Sequence, residues 1–188
     1  MAKSAVKAKQ PDAAKGSARG FREMSWQEFD RLSRTLAEDA RAFQAEMVIG
    51  IAKGGIFLGG ALAGLLGLDF QPVRLVERSR DRRGPGQVAL RQDMPPEVEG
   101  RRILLVDDVC QSGNTLKLAK KQAKAAGAKA VRTATMLLRL TPEGKRYSAK
   151  VPDYFALETG DLVVFPWDYE LAYGGGAVEE GDPETFGA

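Results

Sequence analysis

Asp107 and Asp108 follow the apolar run Ile103-Leu104-Leu105-Val106. After Val109-Cys110 comes a small polar loop, Gln111-Ser112-Gly113-Asn114-Thr115. Two adjacent carboxylates at the end of a buried strand are costly unless a ligand or hydrogen-bond donors answer them. A loop of small polar residues that opens a helix offers unpaired backbone N–H groups and the positive end of the helix dipole, which suit a phosphate. Carboxylates beside such a cradle suit sugar hydroxyls or a hard cation such as Mg²⁺. Together these residues describe a binding site for a phosphorylated sugar. The plainer alternative is a strand-to-helix turn in which Asp108 or Ser112 only caps the helix.

Three further segments could join that chemistry. Ile49-Gly50-Ile51-Ala52 leads into Lys53-Gly54-Gly55, where glycines let backbone N–H groups approach an anion and Lys53 adds charge. Glu77 to Gln92 is long, highly charged and interrupted by Gly84-Pro85-Gly86, and it carries Arg78, Arg80, Arg82 and Arg83. A loop of that length is usually functional or disordered. The last is Asp161-Leu162-Val163-Val164-Phe165-Pro166-Trp167-Asp168, with Arg139 at the end of an earlier apolar run.

The chain contains no histidine. That excludes Ser-His-Asp and Cys-His nucleophile systems, His-ligated zinc and an imidazole general base. Carboxylates, Lys, Arg, backbone donors and hard cations remain, which are the tools of phosphate chemistry. Cys110 is the only cysteine. It can form no intramolecular disulfide and fits a reducing cytoplasm.

The elements that position these residues follow from periodicity. Ser25 and Glu28 have capping-box spacing, and Phe29, Leu32, Leu36 and Phe43 form a helical stripe behind them, so order is expected from Ser25. Met47–Ala52 reads as a buried strand and Ile56–Leu66 as a helix capped by Gly67. Strands are expected over Phe70–Val76, Ile103–Val106 and Val131–Leu138, with shorter ones at Tyr154–Leu157 and Leu162–Phe165. A helix over Thr115–Ala126 ends at Gly127. Strands alternating with helices give an α/β fold with a mostly parallel central sheet flanked by helices. In such sheets ligands bind beyond the carboxyl ends of the strands.

Composition sets the limits. The chain's 188 residues suit one domain with loose ends, and 44% hydrophobic with 28% charged residues fits a soluble globular protein. No apolar run suggests a membrane span. Residues 1–21 form a basic leader without periodicity, expected to be disordered, and residues 22–173 form the folded domain. Residues 174–188 form a Gly-rich, then acidic, mobile tail. The net charge of +3 is concentrated in that leader, at Lys3, Lys7, Lys9, Lys15 and Arg19, so it is weak support for nucleic acid as a partner.

The Ile103–Thr115 segment resembles the phosphoribosyl-pyrophosphate (PRPP) motif of the type I phosphoribosyltransferases. The resemblance extends in element order over about residues 25–170. It implies the type I phosphoribosyltransferase fold with a small hood region, a homodimer, and transfer of 5-phosphoribosyl from PRPP to a nucleobase with release of pyrophosphate. By the same match Asp107 and Asp108 hold the ribose hydroxyls, and Gln111, Ser112, Gly113, Asn114 and Thr115 wrap the 5′-phosphate. Lys53, Gly54 and Gly55 receive the pyrophosphate. The Glu77–Gln92 segment is the flexible catalytic loop. The Phe-Pro-Trp-Asp segment resembles the base-binding strand of purine enzymes of the xanthine-guanine and hypoxanthine type. Leu162 and Val163 then flank the base, Arg139 takes the place of a Lys that donates to the 6-oxo group, and Asp168 helps Asp107 and Asp108 hold Mg²⁺. Trp167 reads as a core aromatic.

Two positions depart from that pattern. Gln111 stands where purine enzymes usually have an Asp that accepts a proton, and a carboxamide is no base at neutral pH. Leu162 replaces the aromatic that stacks on the base. Gln111 keeps open a second reading, a PRPP- or nucleotide-binding regulator of the same fold with little catalysis. A phosphoacceptor receiver domain also uses paired acids, but there the pair follows the first strand, not the third.

Overall fold

The computed structural model describes residues 20–78, 87–90, 94–149 and 151–168. Residues 1–19 of the leader, the last residues of the expected domain (169–173), the tail (174–188), and Arg80, Arg82 and Arg83 of the charged segment lie outside the described residues.

The apolar runs become a six-stranded sheet. Its members are β2 (Met47–Ala52), β3 (Asp69–Arg78), β4 (Gln87–Leu90), β5 (Arg102–Cys110), β6 (Ala130–Arg139) and β7 (Tyr154–Thr159), in the order β4-β3-β2-β5-β6-β7. All neighbours are parallel except β3 and β4. Ile103, Leu104, Leu105 and Val106 are fully buried. Each such side chain gains about 1.5–3 kcal/mol by leaving water, which is why a continuous apolar run, rather than an alternating one, marks a strand covered on both faces. On one face α1 (Trp26–Arg41) and α2 (Gly55–Leu66) pack against Val48, Leu104, Val106 and Met136. On the other, α3 (Asn114–Ala125) covers Ile103, Leu105 and Val131 through Leu116, Ala119 and Ala123.

Ser25 caps α1 as its spacing predicts, its Oγ accepting the Glu28 N–H at 3.1 Å. Glu28 does not complete the box, because its carboxylate pairs with Arg22. The helix stops at Arg41, so Phe43 lies beyond the stripe it was expected to join. Gly67 adopts the left-handed conformation, φ 68°, that ends α2.

Order begins earlier than Ser25. β1 (Phe21–Glu23) pairs in parallel with β8 (Leu162–Val164), forming a two-stranded sheet apart from the main one. The Leu162 N–H donates to the Gly20 carbonyl at 2.8 Å, and the Met24 N–H donates to that of Val164 at 2.9 Å. This small sheet is the hood. The charged segment also departs from a simple loop. β3 runs on to Arg78 and returns antiparallel from Gln87, so strands frame its centre.

The chain moves outward in both directions from the β2–β5 pair, which makes that pair the topological switch point of the sheet. Open α/β sheets bind ligands in the crevice at that point. The loops leaving β2 and β5 are Lys53-Gly54-Gly55 and the one after Asp107-Asp108.

Candidate active site

The acidic pair lies inside β5 rather than after it. The strand extends to Cys110, with Asp107 in register with Thr135 of β6. The ladder between β5 and β6 skips Asp108 and Met136. At that gap the carboxylates take up backbone donors: Asp107 Oδ1 accepts the Asp108 N–H at 3.1 Å, and Asp108 Oδ1 accepts the Val109 N–H at 2.7 Å. Both side chains are thereby pinned at the switch point. Neither caps α3, whose first turn has no side-chain cap. The nearest substitute is Ser112 Oγ, 3.4 Å from the Asn114 N–H, a long and weak contact. Gly113 turns the chain into the helix at φ 72°, a conformation glycine adopts without strain. Simple capping therefore does not account for Asp108.

Lys53-Gly54-Gly55 meets this strand directly. A Cβ at Gly54 would collide with the Asp108 carboxylate, and one at Gly55 would collide with the Val106 carbonyl. Packing against β5 thus requires both glycines, whatever their N–H groups bind. Lys53 is exposed beside them. Gln111, Ser112 and Asn114 are also exposed, on the loop above β5.

Asp168 completes a group of acids. Its Oδ2 accepts the Phe165 N–H at 3.0 Å, and its own N–H donates to the Phe165 carbonyl at 3.0 Å. Trp167 is held face to face between Phe57 of α2 and Phe165, at centroid distances of 4.7 and 4.6 Å. It is a core aromatic, as expected. The stack ties the start of α2 to the turn carrying Asp168. Desolvation, reinforced by the Asp108 charge, pushes the Asp107 carboxyl up to about 8. Desolvation also raises Asp108, and the Asp168 charge adds to it. Adjacent carboxylates whose ionisation is opposed by burial and by neighbouring charge suit a ligand that brings positive charge or hydroxyl donors. Among the described residues no three His, Cys, Asp or Glu side chains form a metal-holding set by themselves. A cation here would need further oxygens from a substrate, which is the usual habit of Mg²⁺.

The remaining expected residues also converge. Arg139, Leu162 and Val163 line one small pocket, together with Val109, Leu137, Thr159 and Asp161. Nε of Arg139 is buried without a hydrogen-bond partner. The last four lining residues were not anticipated. Val109 had fallen in the loop after the acidic pair and Leu137 inside a strand, Thr159 had no reading, and Asp161 opened the Asp161–Asp168 segment without a role of its own.

The sequence matches the family model of the phosphoribosyl transferase domain over residues 15–174. The chain belongs to the phosphoribosyltransferase family. Among curated phosphoribosyltransferases, the adenine enzyme of Corynebacterium kroppenstedtii is 33% identical over 128 residues, covering 62% of this chain and 68% of its own length. The hypoxanthine-guanine enzyme of Lactococcus lactis is 34% identical over 133 residues, covering 68% and 69%. The crystal structure of a purine phosphoribosyltransferase from Pyrococcus horikoshii superposes with a TM-score of 0.69 at 26% identity, over 79% of this chain and 94% of that one. These similarities place the fold and the transferase class together. They span adenine and hypoxanthine-guanine enzymes, so they leave the base open. Among the described residues no helix is long and apolar enough to cross a membrane.

Proposed function

We propose that this phosphoribosyltransferase moves the 5-phosphoribosyl group of PRPP onto a 6-oxopurine, releasing pyrophosphate and forming a nucleoside 5′-monophosphate. The observation that carries the base is the pocket shared by Leu162, Val163 and Arg139, whose guanidinium Nε is buried without a hydrogen-bond partner. A ring oxo group is an acceptor such a donor can use.

In this proposal each residue has a role. Asp107 and Asp108 bind the ribose hydroxyls, and the Gln111–Thr115 loop with the start of α3 binds the 5′-phosphate. Lys53 and the Gly54 and Gly55 amides take the charge that develops on pyrophosphate as the C1′–O bond breaks and the N–C1′ bond forms. Mg²⁺, held by Asp107, Asp108 and Asp168 with substrate oxygens, would neutralise the leaving group. The ring nitrogen must shed a proton, and Gln111 cannot take it. The base therefore attacks as its anion, or the proton leaves through solvent. The chain acts in the cytoplasm, as a homodimer.

Incubation with PRPP, Mg²⁺ and separate nucleobases, followed by chromatography for new monophosphates, tests this reading. A 6-oxopurine should be converted. If PRPP binds yet no base is converted, the exposed Gln111 favours the second reading, a PRPP- or nucleotide-binding regulator.

A further inference from the structure

We propose that Asp161 sets the base preference of this enzyme, selecting a 2-amino-6-oxopurine over a 2,6-dioxopurine. The inference rests on the transfer reaction proposed above and adds a residue and a ranking to it. The pocket has apolar walls, Val109, Leu137, Leu162 and Val163, that suit a flat ring. Its charged groups are Arg139, a donor only, and Asp161, when ionised an acceptor only. Among the described residues neither side chain has an ion-pair partner, although both line the same small space. Opposite charges that share a pocket without pairing are best satisfied by a molecule that bridges them. That molecule must show acceptors to Arg139 and donors to Asp161.

A 2-amino-6-oxopurine does so. Its oxo oxygen and N7 accept, while N1–H and the neighbouring amino group can donate together to one carboxylate. Hypoxanthine keeps only the N1–H. Xanthine puts a carbonyl oxygen against the Asp161 carboxylate, and adenine turns an amino group toward Arg139. Asp161 is also held in place. Its N–H donates to Thr159 Oγ1 at 3.1 Å, and its carboxylate lies over Gly20, where a Cβ would come within 2.6 Å of Oδ1.

Asp161→Asn keeps the shape and reverses part of the polarity. The wild-type protein should rank guanine above hypoxanthine above xanthine in kcat/KM. The variant should lose on the order of 10- to 100-fold with guanine, through KM for the base, while KM for PRPP stays unchanged. Xanthine should improve relative to guanine, because the carboxamide can donate to its 2-oxo group. Calorimetric titration with GMP and XMP reads the same preference at equilibrium, and thermal melting checks that the variant folds. An unchanged guanine-to-xanthine ratio together with an unchanged GMP-to-XMP ratio overturns the role of Asp161. Failure to convert any base overturns the transfer reaction, and the calorimetric ratio then still decides whether Asp161 discriminates.

Discussion

Gly54→Ala isolates the contact between the β2 loop and the acidic pair. The Gly54 backbone, φ −61° and ψ −38°, is helical and accepts alanine without strain. The whole penalty is therefore steric, since the new Cβ would overlap the Asp108 carboxylate. Asp108 can escape only by giving up the Val109 N–H, 2.7 Å from its Oδ1. A hydrogen bond to a charged group contributes about 1.5–3 kcal/mol, and pre-ordering the unfolded chain with alanine returns about 0.4–1 kcal/mol. The expected net loss is about 1–2 kcal/mol, or a fall of about 2–8 °C in Tm for a domain of this size. Gly60→Ala on α2 is the control. A Cβ there meets nothing within 4 Å, so removing a helix-interior glycine should stabilise by about 0.5–1 kcal/mol. Urea unfolding measures both, and a double-mutant cycle with Asp108→Ala measures the coupling. In the Asp108→Ala background the Gly54→Ala penalty should vanish. If the penalty persists there, or if Gly54→Ala is as benign as Gly60→Ala, the collision with Asp108 is not what fixes glycine at this position.

Three other outcomes follow from the same geometry. The folded Asp107 carboxyl binds its proton far more tightly than an unfolded one, so the unliganded protein should lose stability as pH rises from about 4 to 8. Asp107→Asn should therefore gain Tm over the wild type progressively across that window, and a difference that is flat with pH would contradict the raised value. Gln111→Asp supplies the missing proton acceptor, and turnover should rise about tenfold or more; an unchanged rate would mean that the proton leaves by another route. Removing residues 1–19 should leave base KM intact, whereas removing residues 1–24 takes away β1 and both of its outer bonds to β8. The longer deletion should raise base KM while PRPP binding persists, and equal behaviour of the two would detach the hood from the pocket.

The parallel strands were legible because burial on both faces leaves no polar alternation: Met47–Ala52 and Ile103–Val106 announce themselves as unbroken apolar runs. The glycine at the end of α2 was legible for a local reason, its left-handed turn. β1 was not, because Phe21, Arg22 and Glu23 are exposed or half-buried and their partner lies near the other end of the chain. β4 was hidden within a segment whose charge suggested a loop. At the site, the adjacency of Asp107 and Asp108 carried the reading, and Arg139, Leu162 and Val163 line one pocket. Gly54 and Gly55 were recognised as anion-loop glycines, while their close approach to β5 is a tertiary fact that no local pattern encodes. Asp161 was quoted in its segment but given no role for a related reason: a lone carboxylate in a turn has a meaning only once the opposite wall of its pocket is known.

The Phe57–Trp167–Phe165 stack gives the protein an optical reporter of its own. The chain has two tryptophans. Trp167 is sandwiched between rings, whereas Trp26 is 51% exposed to solvent. An aqueous quencher such as iodide should darken Trp26 first and leave Trp167 emitting from a dry, blue-shifted environment. Because that second emitter is clamped between Phe57 at the start of α2 and Phe165 of the turn that carries Asp168, its spectrum records whether the two walls of the crevice move together or apart, with no label attached.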